Sequence, residues 1–136
     1  MARAFSEAVR RRLRREPVAY ILGRKGFRHI ELEVDRRVLI PRPETEMLVE
    51  LALETRPRQL LEIGTGSGAI ALAVADELPD CEITATDVSD GALEVAVANA
   101  RQLGLGDRVG FRLGSLPDGP ATYDLILANL PYVADG

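Results

Sequence analysis

From Gln59 onward the apolar positions fall into two kinds of block. Short runs over Gln59 to Ile63, Glu82 to Asp87, Val109 to Leu113 and Tyr123 to Ala128 read as strands, and the longer stretches between the first three have the period of a helix. The stretch from Gly68 to Leu78, with Ile70, Leu72, Val74 and its alanines, is apolar nearly all round, which predicts a buried helix stopped by Pro79. The next helix opens on Ser89 as its cap, with Asp90 in the first turn. It carries Leu93, Ala96, Val97 and Ala100 at i, i+3, i+4, i+7 and closes at Gly104. Strand, helix, strand, helix, strand, strand is the order of a doubly wound α/β sheet. Such a sheet takes its ligand beyond the carboxyl ends of its strands, so Gly64, Asp87, Ser115 and Asn129 are expected along one rim.

Ahead of this core the pattern is weaker. Phe5, Val9 and Leu13, at spacing four, predict a short helix from about Ala4 to Leu13, and Pro17 interrupts it. Val18 to Gly23 is a short apolar element. Phe27, Ile30, Leu32 and Val34 alternate loosely, and Val38-Leu39-Ile40 answers them across Asp35-Arg36-Arg37, which predicts a β-hairpin. Pro41-Arg42-Pro43-Glu44-Thr45-Glu46 is a stiff loop leading into a helix at Pro43, with Glu44 and Glu46 where the helix dipole favours anions. Met47, Leu48, Leu51 and Ala52 give that helix an apolar stripe, and Pro57 ends it. The chain thus divides into residues 1–16 (a basic helix or tail), 17–57 (hairpin, loop and helix) and 58–136 (the core).

The chemistry concentrates where the first core strand meets its helix. Gly64, Gly66 and Gly68 stand at every second position, where the missing Cβ frees the backbone for positive φ and lets a ligand approach closely. Gly64, Gly66 and Ala69 satisfy the G-x-G-x-x-A pattern of dinucleotide binding, with Asp87 about twenty residues on to meet a ribose. Glu62 favours another ligand. A pyrophosphate repels a carboxylate at a strand end, whereas the ammonium and sulfonium of S-adenosylmethionine attract one. A methyl donor, a dinucleotide and a purely structural turn all remain open on this run alone.

Asn129-Leu130-Pro131-Tyr132 adds a second motif. It is similar to the Asn-Pro-Pro-Tyr of methyltransferases acting on planar nitrogens, with Leu130 in the place of the first proline. Together with Val38 to Glu46 and Gly64 to Leu72, the chain resembles the HemK-type protein-(glutamine-N5) methyltransferases, which modify the glutamine of the Gly-Gly-Gln loop in peptide-chain release factors. The resemblance runs from about Glu16 to the end. It implies a Rossmann-like S-adenosylmethionine-dependent methyltransferase core, here with a partial sheet, preceded by a short helix and a β-hairpin. It further implies that Glu62 lies by the donor's methionine end, that Gly64, Thr65, Gly66, Ser67 and Gly68 wrap the donor, and that Asp87 accepts its ribose hydroxyls. Ser115 and Leu116 stand where the family has an acid and a large aromatic beside the adenine, a loss worth on the order of 1 to 2 kcal/mol of donor affinity. The side-chain oxygen of Asn129 and the carbonyl of Leu130 are the expected acceptors for the substrate amide, with Pro131 stiffening Leu130 and Tyr132 packing on the amide plane. Each also has a structural reading: a salt-bridged strand end for Glu62, a turn residue for Asp87, a loop cap for Asn129.

Composition changes the picture little. Of 136 residues, 46% are hydrophobic and 28% charged, which is ordinary for a globular domain, and the net charge of -4 speaks against general nucleic-acid affinity. The exception is the crowd of Arg3, Arg10, Arg11, Arg12, Arg14 and Arg15, read as a solvated helix face or as a contact with RNA, the ribosome or an acidic partner. The lone Cys81 makes no intrachain disulfide and the lone His29 has no partner for a metal, so no metal is expected. No run is apolar enough for a membrane span, and a cytoplasmic protein is expected. Family members begin with a longer helical domain and continue past the final motif with further strands, so a fragment, or a sheet completed by a partner, is the expectation. Two alternatives to glutamine methylation stay open: methylation of exocyclic amines of nucleic-acid bases, and a non-catalytic donor-binding module. A nicotinamide oxidoreductase ranks last.

Overall fold

The computed structural model describes residues 2–117 and 122–129. Its first helix, α1 (Ala2–Leu13), starts slightly earlier than the apolar spacing suggests, and the expected stripe points outward: Phe5 and Leu13 are strongly exposed. The opposite side is pinned instead. Arg11 pairs with Glu16 through two nitrogens and reaches the Tyr20 carbonyl at 3.3 Å. The apolar element after Pro17 is a single helical turn, α2 (Val18–Leu22), closed by Gly23 at φ 77°. There the lack of a Cβ is needed.

The hairpin differs from the one expected. Strands β1 (Arg24–Phe27) and β2 (Ile30–Glu33) pair antiparallel around Arg28 and His29, so His29 lies in the turn, while Val38 to Ile40 forms no strand. The reason is local: the Asp35 carboxylate accepts the Arg37 amide at 2.8 Å, and the Val38 amide bonds back to the Asp35 carbonyl at 3.1 Å. This turn sends the chain away from β2, and Pro41 and Pro43 have no N–H to offer a ladder. Val38 is nonetheless buried, and its carbonyl takes the Tyr20 hydroxyl at 2.6 Å.

Helix α3 (Thr45–Thr55) begins two residues after Pro43, which sits in a preceding turn. Its buried face is Thr45, Val49 and Ala52, with Leu48 and Leu53 packed beside it, whereas Met47 and Leu51 are exposed. The buried set follows i, i+4, i+7, rotated from the expected stripe. Arg28, whose own φ is 52°, clamps the hairpin onto the helices, with Nε and Nη2 on Glu77 at 2.7 and 3.0 Å and Nη1 on Glu50.

The core elements fall where the sequence puts them: β3 (Gln59–Ile63), α4 (Ala69–Glu77), β4 (Glu82–Asp87), α5 (Asp90–Gln102), β5 (Val109–Leu113) and β6 (Leu125–Ala128). β6 is shorter at its start than expected, because the Asp124 carboxylate accepts the amides of Arg58 and Gln59 as a cap on the sheet edge. The sheet order is β5-β4-β3-β6, all parallel, so the strand order reverses between β3 and β6. Central β3 is buried at Leu60, Leu61 and Glu62, while outer β6 alternates in exposure, as expected of inner and edge strands. Every residue of α4 from Ala69 to Ala75 is buried. No described helix is long and apolar enough to cross a membrane.

Candidate functional site

Parallel pairing brings the ends of β3, β4, β5 and β6 to one edge, and the glycine turn lies across it. Gly64, Gly66 and Gly68 all have positive φ, at 77°, 57° and 87°. Their requirements differ. A Cβ on Gly68 meets Leu72 Cδ1 at 3.0 Å and Ala96 Cβ at 3.3 Å, so this glycine lets α4 pack against α5. A Cβ on Gly66 meets nothing within 4 Å: it faces open space, where a ligand backbone can approach.

Three groups shape the turn from beneath. The Thr86 carbonyl takes the amides of both Gly64 and Thr65 at 2.9 Å. Asp87 binds the Gly66 amide through Oδ2 and the Ser89 amide through Oδ1, each at 2.9 Å, so its carboxylate is already a clasp for the turn while half-buried on the rim. Each carboxylate oxygen still has a second lone pair for a hydroxyl.

Glu62 is fully buried. Its Oε1 accepts the Thr65 hydroxyl at 2.7 Å, and Oε2 has no hydrogen-bond partner among the described residues. Burial pushes its carboxyl up to about 8; the Thr65 hydroxyl and the Ala71 amide pull the other way, and the charge of Asp87 adds to the rise. At neutral pH the group is therefore largely protonated. An orphaned buried carboxyl oxygen under a glycine turn is costly unless something else meets it, and a cation suits it best.

The remaining positions frame the rim. Asn129, half-buried, donates its amide to the Ile63 carbonyl at 3.2 Å, which continues the β3–β6 pairing and sets it beside Gly64. The Ser115 carbonyl accepts the Thr86 hydroxyl at 3.0 Å, and Leu116 and Val88 stand exposed nearby in sequence to Ser115 and Asp87. Leu130, Pro131 and Tyr132 lie outside the described residues. Sequence reasoning missed Thr86 and Asn99, two buried polar residues that carry no charge and match no motif. The one signal for Asn99 was a polar side chain on an otherwise apolar face: the α5 stripe is Ala92, Val95, Ala96, Asn99 and Ala100, one step from the expected one. Thr86 shares its side of β4 with Glu82 and Thr84 and carried no such signal.

A family model described as "Methyltransferase domain" matches residues 61–131, half of the chain. The chain belongs to this methyltransferase family. A second model, "PrmC N-terminal domain", matches residues 1–23. Among curated proteins, the chain is similar to release factor glutamine methyltransferases of Rhodopirellula baltica (45% identical, 96% of this chain, 48% of that protein) and Neisseria gonorrhoeae (47% identical, 94% and 48%). The chain spans about half the length of the curated relatives it matches. Among solved structures, the SAH-bound methyltransferase PaMTH1 of Podospora anserina matches 68% of this methyltransferase chain at TM-score 0.58 and 26% identity, covering 42% of PaMTH1. The O-methyltransferase TomG of Streptomyces achromogenes, in complex with SAM, shares the fold at TM-score 0.58 over 71% of this chain and 47% of its own, with 22% identity. The glycine turn and the β3–β6 switch thus lie within a methyltransferase fold.

Proposed function

We propose that the chain carries the donor half of an S-adenosylmethionine-dependent N-methyltransferase whose substrate is the side-chain amide of a glutamine in a peptide-chain release factor, acting in the cytoplasm. The observation that carries the donor reading is the pairing of Gly66, open to approach, with the buried Oε2 of Glu62, unpartnered among the described residues. The names of the curated relatives support the substrate. A cationic amino-acid end fits this cradle better than a phosphate: a cation compensates the Glu62 carboxyl once it ionises, whereas an anion there would oppose that ionisation.

The bound donor would supply an electrophilic methyl group on sulfur. Asp87 would hold ribose hydroxyls with the lone pairs its clasp leaves free, and Glu62, releasing its proton to solvent as the donor's ammonium arrives, would anchor the methionine end as a carboxylate. The apolar side chains of Val88 and Leu116 would face the adenine. An amide nitrogen is a weak nucleophile because its lone pair is delocalised. Acceptors on its N–H groups, the Asn129 side-chain oxygen and the Leu130 carbonyl, would fix its line of approach and push electron density onto it, with Pro131 and Tyr132 flanking. The N-terminal arginines offer a contact for the ribosome or RNA.

The test is transfer of a radiolabelled methyl group from S-adenosylmethionine to a release factor, to its glutamine-to-alanine variant and to nucleic acid. Label on the first alone is expected; label on nucleic acid alone replaces this reading with the base-directed one. Asn129→Ala is expected to lower transfer at least a hundredfold while S-adenosylhomocysteine still binds.

A further inference from the structure

Asn99 lies on the inner face of α5, almost wholly buried, and both ends of its carboxamide are bonded. Its Oδ1 accepts the Glu33 amide at 2.7 Å, and its Nδ2 donates to the Glu33 carbonyl at 3.0 Å and to the Ser67 carbonyl at 2.9 Å. The partners fix the orientation of the amide, since the flipped form sets oxygen against two carbonyls. On one side it mimics a strand partner for the end of β2. On the other it holds the glycine turn between Gly66 and Gly68.

These two attachments belong to segments with different roles. Ser67 is part of the turn that faces the donor. Glu33 leads through the Asp35 turn to the Pro41–Glu46 loop, and the adjoining Val34 amide bonds to the Gly23 carbonyl at 3.0 Å, which ties in α2. The far end of the hairpin is fixed separately, by Arg28 on Glu50 and Glu77.

From this junction we infer that Asn99 is a positioning residue: it sets the Ser67 carbonyl, and with it the turn, relative to the N-terminal hairpin, so that donor binding and the order of the hairpin are coupled through one side chain. The inference deepens the donor reading and rests on it. Aspartate, leucine and serine all fail to reproduce it. Aspartate sets an anion against two carbonyls, leucine leaves three backbone groups without partners, and serine is too short to span both.

The experiment compares the native chain with Asn99→Asp, Asn99→Ser and Val95→Ala, the last on the same buried face but without polar contacts. Two readouts are taken: S-adenosylhomocysteine affinity by calorimetry, and amide hydrogen exchange at Glu33 and across Gly64 to Gly68. Expected are a tenfold or greater loss of affinity in both Asn99 variants, and less than twofold in Val95→Ala even where its Tm falls as far. Ligand is expected to slow exchange at Glu33 in the native chain and to leave it unchanged in Asn99→Ser. Equal loss of affinity in Val95→Ala, or a Glu33 amide indifferent to ligand in the native chain that binds it, overturns the inference. If the native chain binds no S-adenosylhomocysteine, the donor reading fails. The junction is then judged on exchange alone: faster exchange at Glu33 and the turn together in Asn99→Ser upholds it, and a change at Glu33 only refutes it. Asn99→Ser introduces no charge, so it serves where Asn99→Asp does not fold.

Discussion

The glycine turn and the N-terminal helix are held by opposite means. Around the turn, Glu62, Thr65, Ser67, Thr86 and Asn99 are buried, and nearly every bond ends on a backbone group: Thr86 on Gly64 and Thr65, Asp87 on Gly66, Asn99 on Ser67. Helix α1 is held by side chains near the surface, Arg11 on Glu16 and Arg12 on the Glu16 carbonyl, and turns Phe5 and Leu13 to solvent. Buried bonds to backbone fix a shape and are costly to break singly, because the abandoned partner stays out of water. Surface ion pairs contribute little and yield to salt and acid. The interior turn is thus built for precision, and α1 for attachment that responds to conditions.

The strongest challenge to this contrast is to overfill the turn. Gly68→Ala combines a left-handed backbone with contacts of 3.0 and 3.3 Å, and is expected to cost about 2 to 4 kcal/mol in denaturant unfolding. Gly66→Ala meets no neighbour, so only the backbone penalty of about 1 to 2 kcal/mol is expected in stability, with a disproportionate loss of donor binding. Equal effects of the two on stability refute the distinction between a packing glycine and a ligand-facing one.

Glu62→Gln sharpens the point through pH. The folded carboxyl titrates at about 8, above its ordinary range, so between that range and pH 8 the native state holds a proton that the unfolded chain has released. Stability from this group is complete at acid pH and is lost as pH rises through about 8, on the order of a few kcal/mol in all. Glu62→Gln is expected to flatten the fall in Tm between pH 5 and 8 and to weaken donor binding at every pH. In the native chain, donor binding is expected to release a proton at pH 7, which calorimetry in buffers of different ionisation enthalpy measures.

Arg28→Ala stands between the extremes. Its guanidinium is largely shielded and spans two carboxylates, which raise its pKa and hold that of Glu77 down, so a loss of about 1 to 3 kcal/mol is expected, with the hairpin loosened and the sheet intact. Hydrogen exchange confined to β1 and β2 is the corresponding signature.

What the sequence revealed follows the same division. Strands β3, β4 and β5 and the three glycines were legible because apolar runs and backbone freedom are local properties. The hairpin register was not: Phe27, Ile30, Leu32 and Val34 are all buried as their alternation suggested, but the partner of β2 was decided by the Asp35 turn and two prolines. Glu62 and Asp87 were legible as acids at strand ends. That Asp87 clasps Gly66 while Glu62 sits beneath the turn with one oxygen unpartnered among the described residues depends on tertiary packing, as do the bonds of Asn99. Helix α1 misled for a simpler reason. Spacing shows which residues share a face, and the face turned inward was chosen by Arg11 meeting Glu16 and Tyr20.

That choice gives the smallest predicted effect. The Arg11 guanidinium, bonded to Glu16, holds its carboxyl down to about 2, with desolvation opposing and Arg36 assisting at 3.5 Å. A depressed carboxyl stabilises the docked helix fully above the ordinary carboxyl range, and that contribution is lost as pH falls through the range toward 2. The expected outcome is local: α1 loosens from α2 at acid pH or in Glu16→Gln, with faster exchange in residues 4–16, while the amides of the glycine turn keep their protection. High salt is expected to act in the same direction but more weakly, since two of the bonds to α1 end on the carbonyls of Glu16 and Tyr20 rather than on charge. If the turn loosens together with α1, the two regions form one cooperative unit and the division between them fails.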